Sequence, residues 1–375
     1  MKHLNNFIAM CVSATILTAC GGGNRIIPSA PAEIAPVAAA QQLAPTGSAP
    51  LRAMESQNLY VANYTANAVT VYAPGSTNVL RTISQGISEP DALAFGPDRN
   101  LYVANQGCID PTYCHPVRPS SVTVYAPGSK SVLREIRHGV SGPSALAFDG
   151  SGDLYVANHW GYTVTVYAPG STKVLRTIRD GIIEAQALEF DGSGNLYVAN
   201  DCSGSFGFCN SSSVTVYAPN RSLLRTIPEV DGEPNSLVLG RGGNLYVSIP
   251  CGASYGHGCR SSVSVYAAGS TSLLRKIRAG VHQPDALAFG QGGNLFVANV
   301  SSNTVTVYAP GSTNVLRTIS QGISSPDALA FGAGGSLYVA NPGNNTVTVY
   351  TTRNGRLLRT ISQGVSGPAA LAFGP

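Results

Sequence analysis

The stretch from Pro284 to Tyr308 reads PDALAFGQGGNLFVANVSSNTVTVY and contains three short apolar segments separated by turns. The segments ALAF, LFVAN and VTVY are four or five residues long, rich in aliphatic and aromatic residues, and bounded by Gly, Pro, Asn or Ser. Segments of this length and composition are typical of β-strands, and the glycine-rich GQGGN predicts a tight turn. The stretch therefore predicts antiparallel strands.

The same pattern recurs along the chain. LYVAN or a close variant begins at seven positions, which are Leu59, Leu101, Leu154, Leu196, Leu245, Leu295 and Leu337. The intervals between them are 42, 53, 42, 49, 50 and 42 residues, which indicates a repeat array. Each copy is followed by VTVY-like, LRTI-like and ALAF-like segments. Seven units of four strands predict an all-β fold, a seven-bladed β-propeller spanning residues 58–375.

Side chains predict the order of strands within a blade. Every LRTI-like segment carries an arginine, and a charged strand suits the outer edge of a sheet because charge opposes further strand pairing. The small, apolar ALAF-like segment suits the crowded axis. Since the chain starts on a second strand near Leu59 and ends on an ALAF segment, the last strand should complete blade one and close the ring end to end.

The stretch from Pro284 to Tyr308 resembles an NHL repeat and the related YVTN repeat of seven-bladed propellers, and the resemblance extends from about residue 58 to the end. It implies the propeller fold but no single function, because these families include enzymes, protein-binding modules and surface proteins. Some NHL propellers carry Asp where these repeats end in Asn, so an acidic ring of that kind is not transferred to this chain.

The N-terminus has the form of an export signal. Lys2 precedes an apolar run from Phe7 to Leu17, and Leu17-Thr18-Ala19-Cys20 resembles the lipobox of bacterial lipoproteins. This predicts a signal peptide over residues 1–19, a diacylglyceryl (palmitate-type) lipid on Cys20, and a flexible Ala/Pro-rich tether over residues 20–57. Gly21 follows the cysteine where the inner-membrane retention signal of such lipoproteins would have aspartate, which favours the outer membrane if the source is Gram-negative. The alternative is an ordinary signal that ends in a chance cysteine.

The formal net charge of +4 does not indicate a nucleic-acid-binding protein. Of the 23 lysines and arginines, seven are the repeated edge arginine and so are spread around the circumference. A phosphate backbone needs a basic patch or stripe, which this distribution does not form. We expect a monomer that reaches the membrane only through its lipid.

Variation between repeats concentrates in the loops between LYVAN and VTVY, which lie on one face of the propeller, here called the top face. Insertions on one face of a repeat scaffold usually mark its binding face. These loops hold the candidate binding residues Tyr64, Tyr113, His159, Trp160, Tyr162, Phe206, Phe208, Tyr255 and His257. We therefore expect a cell-envelope binding module for a peptide, a glycan or an envelope protein. The alternative is that these aromatics pack on their own loops.

Six cysteines remain after the signal and Cys20. They form the pairs Cys108 with Cys114, Cys202 with Cys209 and Cys251 with Cys259, one pair inside each long top loop. Their spacings are longer than those of zinc sites, and exported thiols at such distances oxidise. We predict three disulfides that brace the loops.

Polar residues near the axis raise the alternative of an enzyme. A crossing is the segment that runs from the outermost strand of one blade to the innermost strand of the next. Asp91, Asp285 and Asp327 each follow the proline that ends a crossing, and the Asn that ends LYVAN should lie near them. The mouth of the channel could therefore hold Ca²⁺ or Mg²⁺, as in lactonase-type propellers. Such residues also simply cap strand ends. Streptogramin lyases, which have a propeller of this general type, use top-face histidines with a carboxylate and Mg²⁺; His159, His257 and His282 could take such roles here, although no local motif matches. No recognised catalytic spacing is present, so no cofactor is predicted, and a purely structural envelope protein is a third alternative.

Overall fold

The computed structural model describes residues 57–107, 118–201, 212–228, 232–251 and 260–375. These residues form seven four-stranded antiparallel sheets, so the prediction of a seven-bladed β-propeller is confirmed. Within the described part of the chain, no helix is long and apolar enough to span a bilayer.

The strands of each blade are given from the axis outwards. Blade one contains Pro368–Gly374 (β28), Asn58–Asn63 (β1), Ala68–Tyr72 (β2) and Val79–Ile83 (β3). Blade two contains Pro90–Phe95 (β4), Leu101–Asn105 (β5), Ser121–Tyr125 (β6) and Arg134–Ile136 (β7). Blade three contains Pro143–Phe148 (β8), Leu154–Asn158 (β9), Thr163–Tyr167 (β10) and Val174–Ile178 (β11). Blade four contains Glu184–Phe190 (β12), Leu196–Asp201 (β13), Ser213–Tyr217 (β14) and Leu223–Pro228 (β15).

The remaining three blades follow the same order. Blade five contains Leu237–Leu239 (β16), Leu245–Ile249 (β17), Ser262–Tyr266 (β18) and Leu273–Ile277 (β19). Blade six contains Pro284–Phe289 (β20), Leu295–Asn299 (β21), Thr304–Tyr308 (β22) and Val315–Ile319 (β23). Blade seven contains Leu329–Phe331 (β24), Leu337–Asn341 (β25), Thr346–Tyr350 (β26) and Leu357–Ile361 (β27).

The two ends of the chain close the ring as predicted. β28 pairs antiparallel with β1, with Leu59 opposite Phe373 and Val61 opposite Leu371. The hydroxyl of Tyr60 donates to the carbonyl oxygen of Pro375 at 2.7 Å. Because the C-terminal strand is the innermost strand of blade one, the closed ring depends on it.

The hydrophobic core lies between the blades. Among the described residues, seven clusters of buried apolar side chains each combine two neighbouring blades. The tyrosine of VTVY strengthens these interfaces, because its hydroxyl donates to a carbonyl oxygen in the crossing from the preceding blade. Six tyrosines make this bond, at 2.5 to 2.7 Å: Tyr72, Tyr125, Tyr167, Tyr217, Tyr308 and Tyr350.

The arginine-bearing strands are outermost, as predicted, and their arginines also pack inwards. In four blades the guanidinium lies 5.6 to 5.9 Å from the ring centroid of the LYVAN tyrosine: Arg81 on Tyr60, Arg134 on Tyr102, Arg275 on Tyr246 and Arg359 on Tyr338. Blade six has Phe296 in place of the tyrosine. Its Arg317 instead donates to the carbonyl oxygens of Thr352 and Arg353 in blade seven. The arginine therefore both protects the edge and stabilises the sheet.

Candidate functional site

A ring of mostly polar residues surrounds the top opening of the central channel. The innermost strands of successive blades contact one another all round the axis, and each begins at the top face. The residues that follow the proline at the start of each innermost segment form what we call the mouth ring; in blade four, Ala185 stands in place of that proline. Its members are Asp91, Ser144, Gln186, Asn235, Asp285, Asp327 and Ala369. Since the segments that follow are apolar, the polarity of this ring marks the mouth as the candidate site.

Carboxylates of the mouth are held by carboxamides. Gln106 Nε2 donates to Asp91 Oδ2 at 3.0 Å, and Gln186 Nε2 donates to Asp201 Oδ2 at 3.2 Å. Asn235 Nδ2 donates to Asp285 Oδ1. The pairs Asp91–Gln106 and Gln186–Asp201 join the innermost segment of a blade to the end of its own second strand. The pair Asn235–Asp285 joins the innermost segments of blades five and six. Together the pairs present fixed hydrogen-bond acceptors and amides at the mouth.

The carboxyl group of Asp91 is unusually difficult to ionise. Burial raises its pKa well above the ordinary value, because the charged form loses its hydration. The hydrogen bond from Gln106 opposes this effect, and the negative charge of Asp285 adds to it. Asp91 and Asp285 are therefore electrostatically coupled, and the mouth retains a proton at higher pH than isolated aspartates would.

The three aspartates that the sequence offered as metal ligands lie at the mouth but are not gathered into a metal cluster. Asp91, Asp285 and Asp327 are 2 to 4% exposed. Within the described ranges, no group of three His, Cys, Asp or Glu side chains is arranged so that it could hold a metal ion. Acidic and histidine side chains alone therefore do not form a three-ligand cation site among the described residues.

The asparagines that end LYVAN have a structural role. In each of six blades the fully buried side chain donates to the backbone carbonyl two residues earlier and to a hydroxyl of the third strand. Its Oδ1 accepts a backbone N–H of the incoming crossing, as Asn105 Oδ1 does from Ser88 at 3.1 Å. The same arrangement is formed by Asn63, Asn158, Asn200, Asn299 and Asn341. These amides cap the crossings, so they are not available as metal ligands.

Blade five, where Ile249 replaces the asparagine, uses a different group. The hydroxyl of Ser248 accepts the backbone N–H of Ser236 at 2.8 Å, and Ile249 is buried in the apolar interface between blades four and five. The break in the asparagine pattern is therefore compensated one residue earlier.

Two of the predicted binding aromatics are exposed on the top face. Trp160 is 42% exposed and Tyr162 is 47% exposed. The indole of Trp160 lies against the backbone of Gly142, where a Cβ would stand 2.4 Å from Trp160 Cδ2. Only glycine leaves room for the ring at that position, so the contact fixes the indole on the crossing.

Tyr162 occupies a backbone position that asparagine fills in three other blades. Its φ is 51°, and Asn67, Asn303 and Asn345 stand at the equivalent places with φ of 52 to 55°. Asparagine tolerates this left-handed conformation, and its Oδ1 accepts a backbone N–H of the crossing there. Tyrosine makes no such bond and is strained. A bulky residue retained at a strained, exposed place suggests a functional contact.

Tyr64 differs from these two, because its hydroxyl belongs to the polar network. It is partly buried, and its hydroxyl donates to Glu89 Oε2 at 3.3 Å and to Gln106 Oε1 at 3.4 Å. Since Gln106 also holds Asp91, Tyr64 links the rim to the mouth ring. The role of Tyr64 in ligand binding stays a prediction.

His159 lies in a polar cluster that sequence reasoning largely missed. Burial lowers the pKa of its imidazole, and the negative charge of Glu184 opposes that shift. Glu184 stands opposite Asp201 in the β12–β13 ladder, and Asp201 accepts the hydrogen bond from Gln186. Gln186 stands where three blades have aspartate, so this departure from the repeat was a signal that could have identified it, whereas Glu184 stands where blades two and five also have glutamate, Glu89 and Glu233.

A second missed residue is Glu189 in β12. Alanine stands at this place in five other innermost strands, and Val238 in blade five. Burial raises the pKa of Glu189 to about 8. The adjoining interface between blades four and five also lacks the aromatic pair of the other six, because Leu239 stands where they have phenylalanine. Blade four and its neighbour thus differ from the other blades at both positions, Glu189 and Leu239.

Several predicted residues lie outside the described part of the chain. They are Tyr113, Phe206, Phe208, Tyr255, His257, Cys108, Cys114, Cys202, Cys209, Cys259, and Cys20 with the tether. Cys251 is described, but its predicted partner Cys259 is not. The three cysteine pairings and the lipid anchor therefore stay predictions.

Comparisons with known proteins agree with the architecture. The family model described as SMP-30/Gluconolactonase/LRE-like region matches residues 184–375. A hydrazine synthase from Kuenenia stuttgartiensis aligns with a TM-score of 0.64 at 19% identity over 79% of this chain and 92% of its own. The periplasmic gluconolactonase of Pseudomonas aeruginosa aligns with a TM-score of 0.64 at 20% identity over 85% of this chain and 99% of its own. At these identities the structures share the fold. No curated protein matches the chain.

Proposed function

Because this chain belongs to the SMP-30/Gluconolactonase/LRE-like family, we propose that it binds a small hydroxyl-rich ligand, a sugar or a sugar lactone, at the top mouth of its channel. The observation that carries this proposal is the set of carboxylate–carboxamide pairs, Asp91 with Gln106, Asp201 with Gln186 and Asp285 with Asn235. Sugar hydroxyls both donate and accept, and such pairs offer acceptors and amides in fixed positions.

The exposed aromatics support the same ligand class. Trp160 and Tyr162 lie on the top face, and Trp160 is held against Gly142. A rigid aromatic surface beside buried polar groups suits a ring that has one apolar face and polar edges. A peptide or an envelope protein could use the same aromatics but would not need the paired carboxylates.

Lactone hydrolysis is the second candidate function. It is favoured by the coupling between Asp91 and Asp285, because two carboxyl groups in different environments can divide the roles of acid and base. Asp91, whose pKa is raised, would hold the proton given to the leaving oxygen, and Asp285 would accept the proton of the attacking water. Since the described donors do not form a metal cluster, no step is assigned to a metal ion.

Binding is tested by calorimetry with a panel of neutral monosaccharides and with glucono-lactone. We expect the Trp160→Ala/Tyr162→Ala double variant to bind at least about tenfold more weakly, since aromatic anchors dominate such sites. Asp98→Asn is the matched control, because Asp98 pairs with Arg134 on the bottom face, away from the mouth. Unchanged affinity in the double variant and in Asp91→Asn would refute the site. A failure of every sugar to bind would favour the peptide, envelope-protein or purely structural alternatives.

Hydrolysis is tested by following acid release from the lactone. If Asp91 supplies the proton, Asp91→Asn lowers kcat far more than it lowers the affinity for the lactone. Equal rates for the wild type, Asp91→Asn and Asp98→Asn would show that the mouth is a binding site only.

We further propose that the propeller is carried on the outer membrane by a lipid on Cys20, at the end of the tether over residues 20–57. The lipobox-like Leu17-Thr18-Ala19-Cys20 supports this location. Labelling cells with a palmitate analogue should mark the wild type and leave Cys20→Ser unlabelled. Equal labelling of both forms would exclude this anchor.

A further inference from the structure

The polar cluster between blades three and four contains two buried side-chain atoms, Gln186 Oε1 and His159 Nδ1, that have no hydrogen-bond partner among the described residues. We call His159, Glu184, Gln186 and Asp201 the His159 cluster. Glu184 and Asp201 stand opposite each other in the β12–β13 ladder, and Gln186 Nε2 donates to Asp201 Oδ2 at 3.2 Å. His159 interacts electrostatically with Glu184. The cluster therefore runs continuously from the rim at His159 to the mouth ring at Gln186.

Gln186 provides the observation that points to a ligand. Its side chain is 1% exposed, and its Oε1 is buried with no hydrogen-bond partner among the described residues. The amide nitrogen already donates to Asp201, so the oxygen can accept a hydrogen bond from a donor on a ligand. Leaving a buried acceptor unsatisfied costs about 1–3 kcal/mol, so such atoms are uncommon unless something binds them.

His159 adds a second buried atom to the cluster. Its Nδ1 has no hydrogen-bond partner within the described part of the chain. Because burial lowers the pKa of the imidazole, the neutral ring predominates at neutral pH, and a neutral ring has one nitrogen that can accept. The next residue along the chain, Trp160, is exposed on the top face.

The chemistry of the cluster selects among possible ligand groups. A carboxylate or phosphate would be repelled by Glu184 and Asp201. A hydroxyl brings a single donor, whereas a primary ammonium brings three N–H donors and a positive charge. A metal ion does not fit, because the described residues contain no suitable group of three His, Cys, Asp or Glu.

We propose that the His159 cluster binds a primary ammonium group, so that the ligand of the mouth is an amino sugar rather than a neutral sugar. This inference rests on the proposed function, since the sugar ring would contact Trp160 and the mouth ring. The ammonium would donate to Gln186 Oε1 and to the carboxylates of Glu184 and Asp201. Charge-assisted bonds of this kind are about twice as strong as neutral ones.

The test compares glucosamine, glucose and N-acetylglucosamine by calorimetry at neutral pH and constant ionic strength. We expect glucosamine to bind the wild type at least about tenfold more tightly than glucose, because removing a charge-assisted bond typically changes affinity by that factor or more. N-acetylglucosamine has no ammonium and should bind no better than glucose. Glu184→Gln should abolish the preference and leave glucose affinity unchanged, whereas Asp201→Asn should abolish the preference and also weaken the binding of every sugar. Asp98→Asn should keep the preference, and near-ultraviolet circular dichroism checks that each variant is folded.

The outcomes separate this inference from the proposed function. If glucose and glucosamine bind equally, the ammonium site is refuted and the sugar site stands. If methylammonium binds and no sugar does, the cluster is supported as an amine site and the proposed sugar function fails. If the preference persists in Glu184→Gln and Asp201→Asn, the ammonium is recognised elsewhere and the assignment to the His159 cluster is wrong.

Discussion

Replacing Glu189 with alanine should remove much of the loss of stability that we expect for this protein between mildly acidic and alkaline pH. Glu189 stands opposite Tyr197 in the β12–β13 ladder, on an innermost strand that borders the channel. The interface beside it has Leu239 in place of the phenylalanine found elsewhere. Its carboxyl group therefore occupies a position that apolar atoms fill in the other blades.

The magnitude follows from the pKa. The folded protein raises the pKa of Glu189 from 4.5 to about 8 through loss of hydration. Because the folded state holds the proton more tightly than the unfolded chain, stability is highest below pH 4.5, falls as the pH rises towards about 8, and is constant above that. At about 1.4 kcal/mol per pH unit, the upper limit of the loss is about 5 kcal/mol. The side chain is partly exposed to the channel, so we expect about 2–3 kcal/mol.

The assay is urea unfolding from about pH 4.5 to about pH 9 at constant ionic strength. Glu189→Ala should be less sensitive to pH than the wild type and more stable at the alkaline end. Glu189→Ala combined with Leu239→Phe restores the pattern of the other blades and should be the most stable form. Glu135→Ala, which removes a glutamate from an outer strand, is the matched control. Parallel pH profiles for the wild type and Glu189→Ala would refute the reasoning.

Three further predictions concern the scaffold and the loops. Deleting residues 369–375 removes most of β28 and should lower the melting temperature by at least about 10 °C or abolish cooperative unfolding, whereas an unchanged melting temperature would contradict the closure. Asn105→Ala deprives the buried Ser88 N–H of its acceptor and should cost about 1–3 kcal/mol by urea unfolding, with Ser248→Ala giving a similar loss in blade five. Non-reducing peptide mapping of the exported protein should find the three predicted disulfides, each stabilising by about 2.5 kcal/mol, and free thiols would refute them.

The candidate site was only partly predictable. The sequence placed Trp160, Tyr162 and His159 on the top face and the three aspartates at the mouth. It did not reveal that Tyr64 bonds to Glu89 and Gln106, since a hydroxyl's partners depend on how neighbouring crossings pack. Nor did it identify the neighbours of His159, because Glu184 and Asp201 are seventeen residues apart in the chain and meet only across a strand pair.

By itself the sequence determined the fold. Seven copies of LYVAN and its companion segments define the strands, and the arginine of each LRTI-like segment and the final ALAF segment define the order of strands and the closure, because strand patterning and edge protection are local properties. Only the tertiary structure decided which polar residues are caps and which form a site. The LYVAN asparagines and the mouth aspartates look alike in the sequence, yet the asparagines are satisfied by crossings while Asp91 and Asp285 interact across the channel. That difference arises because the closed ring brings together blades that are distant in the chain.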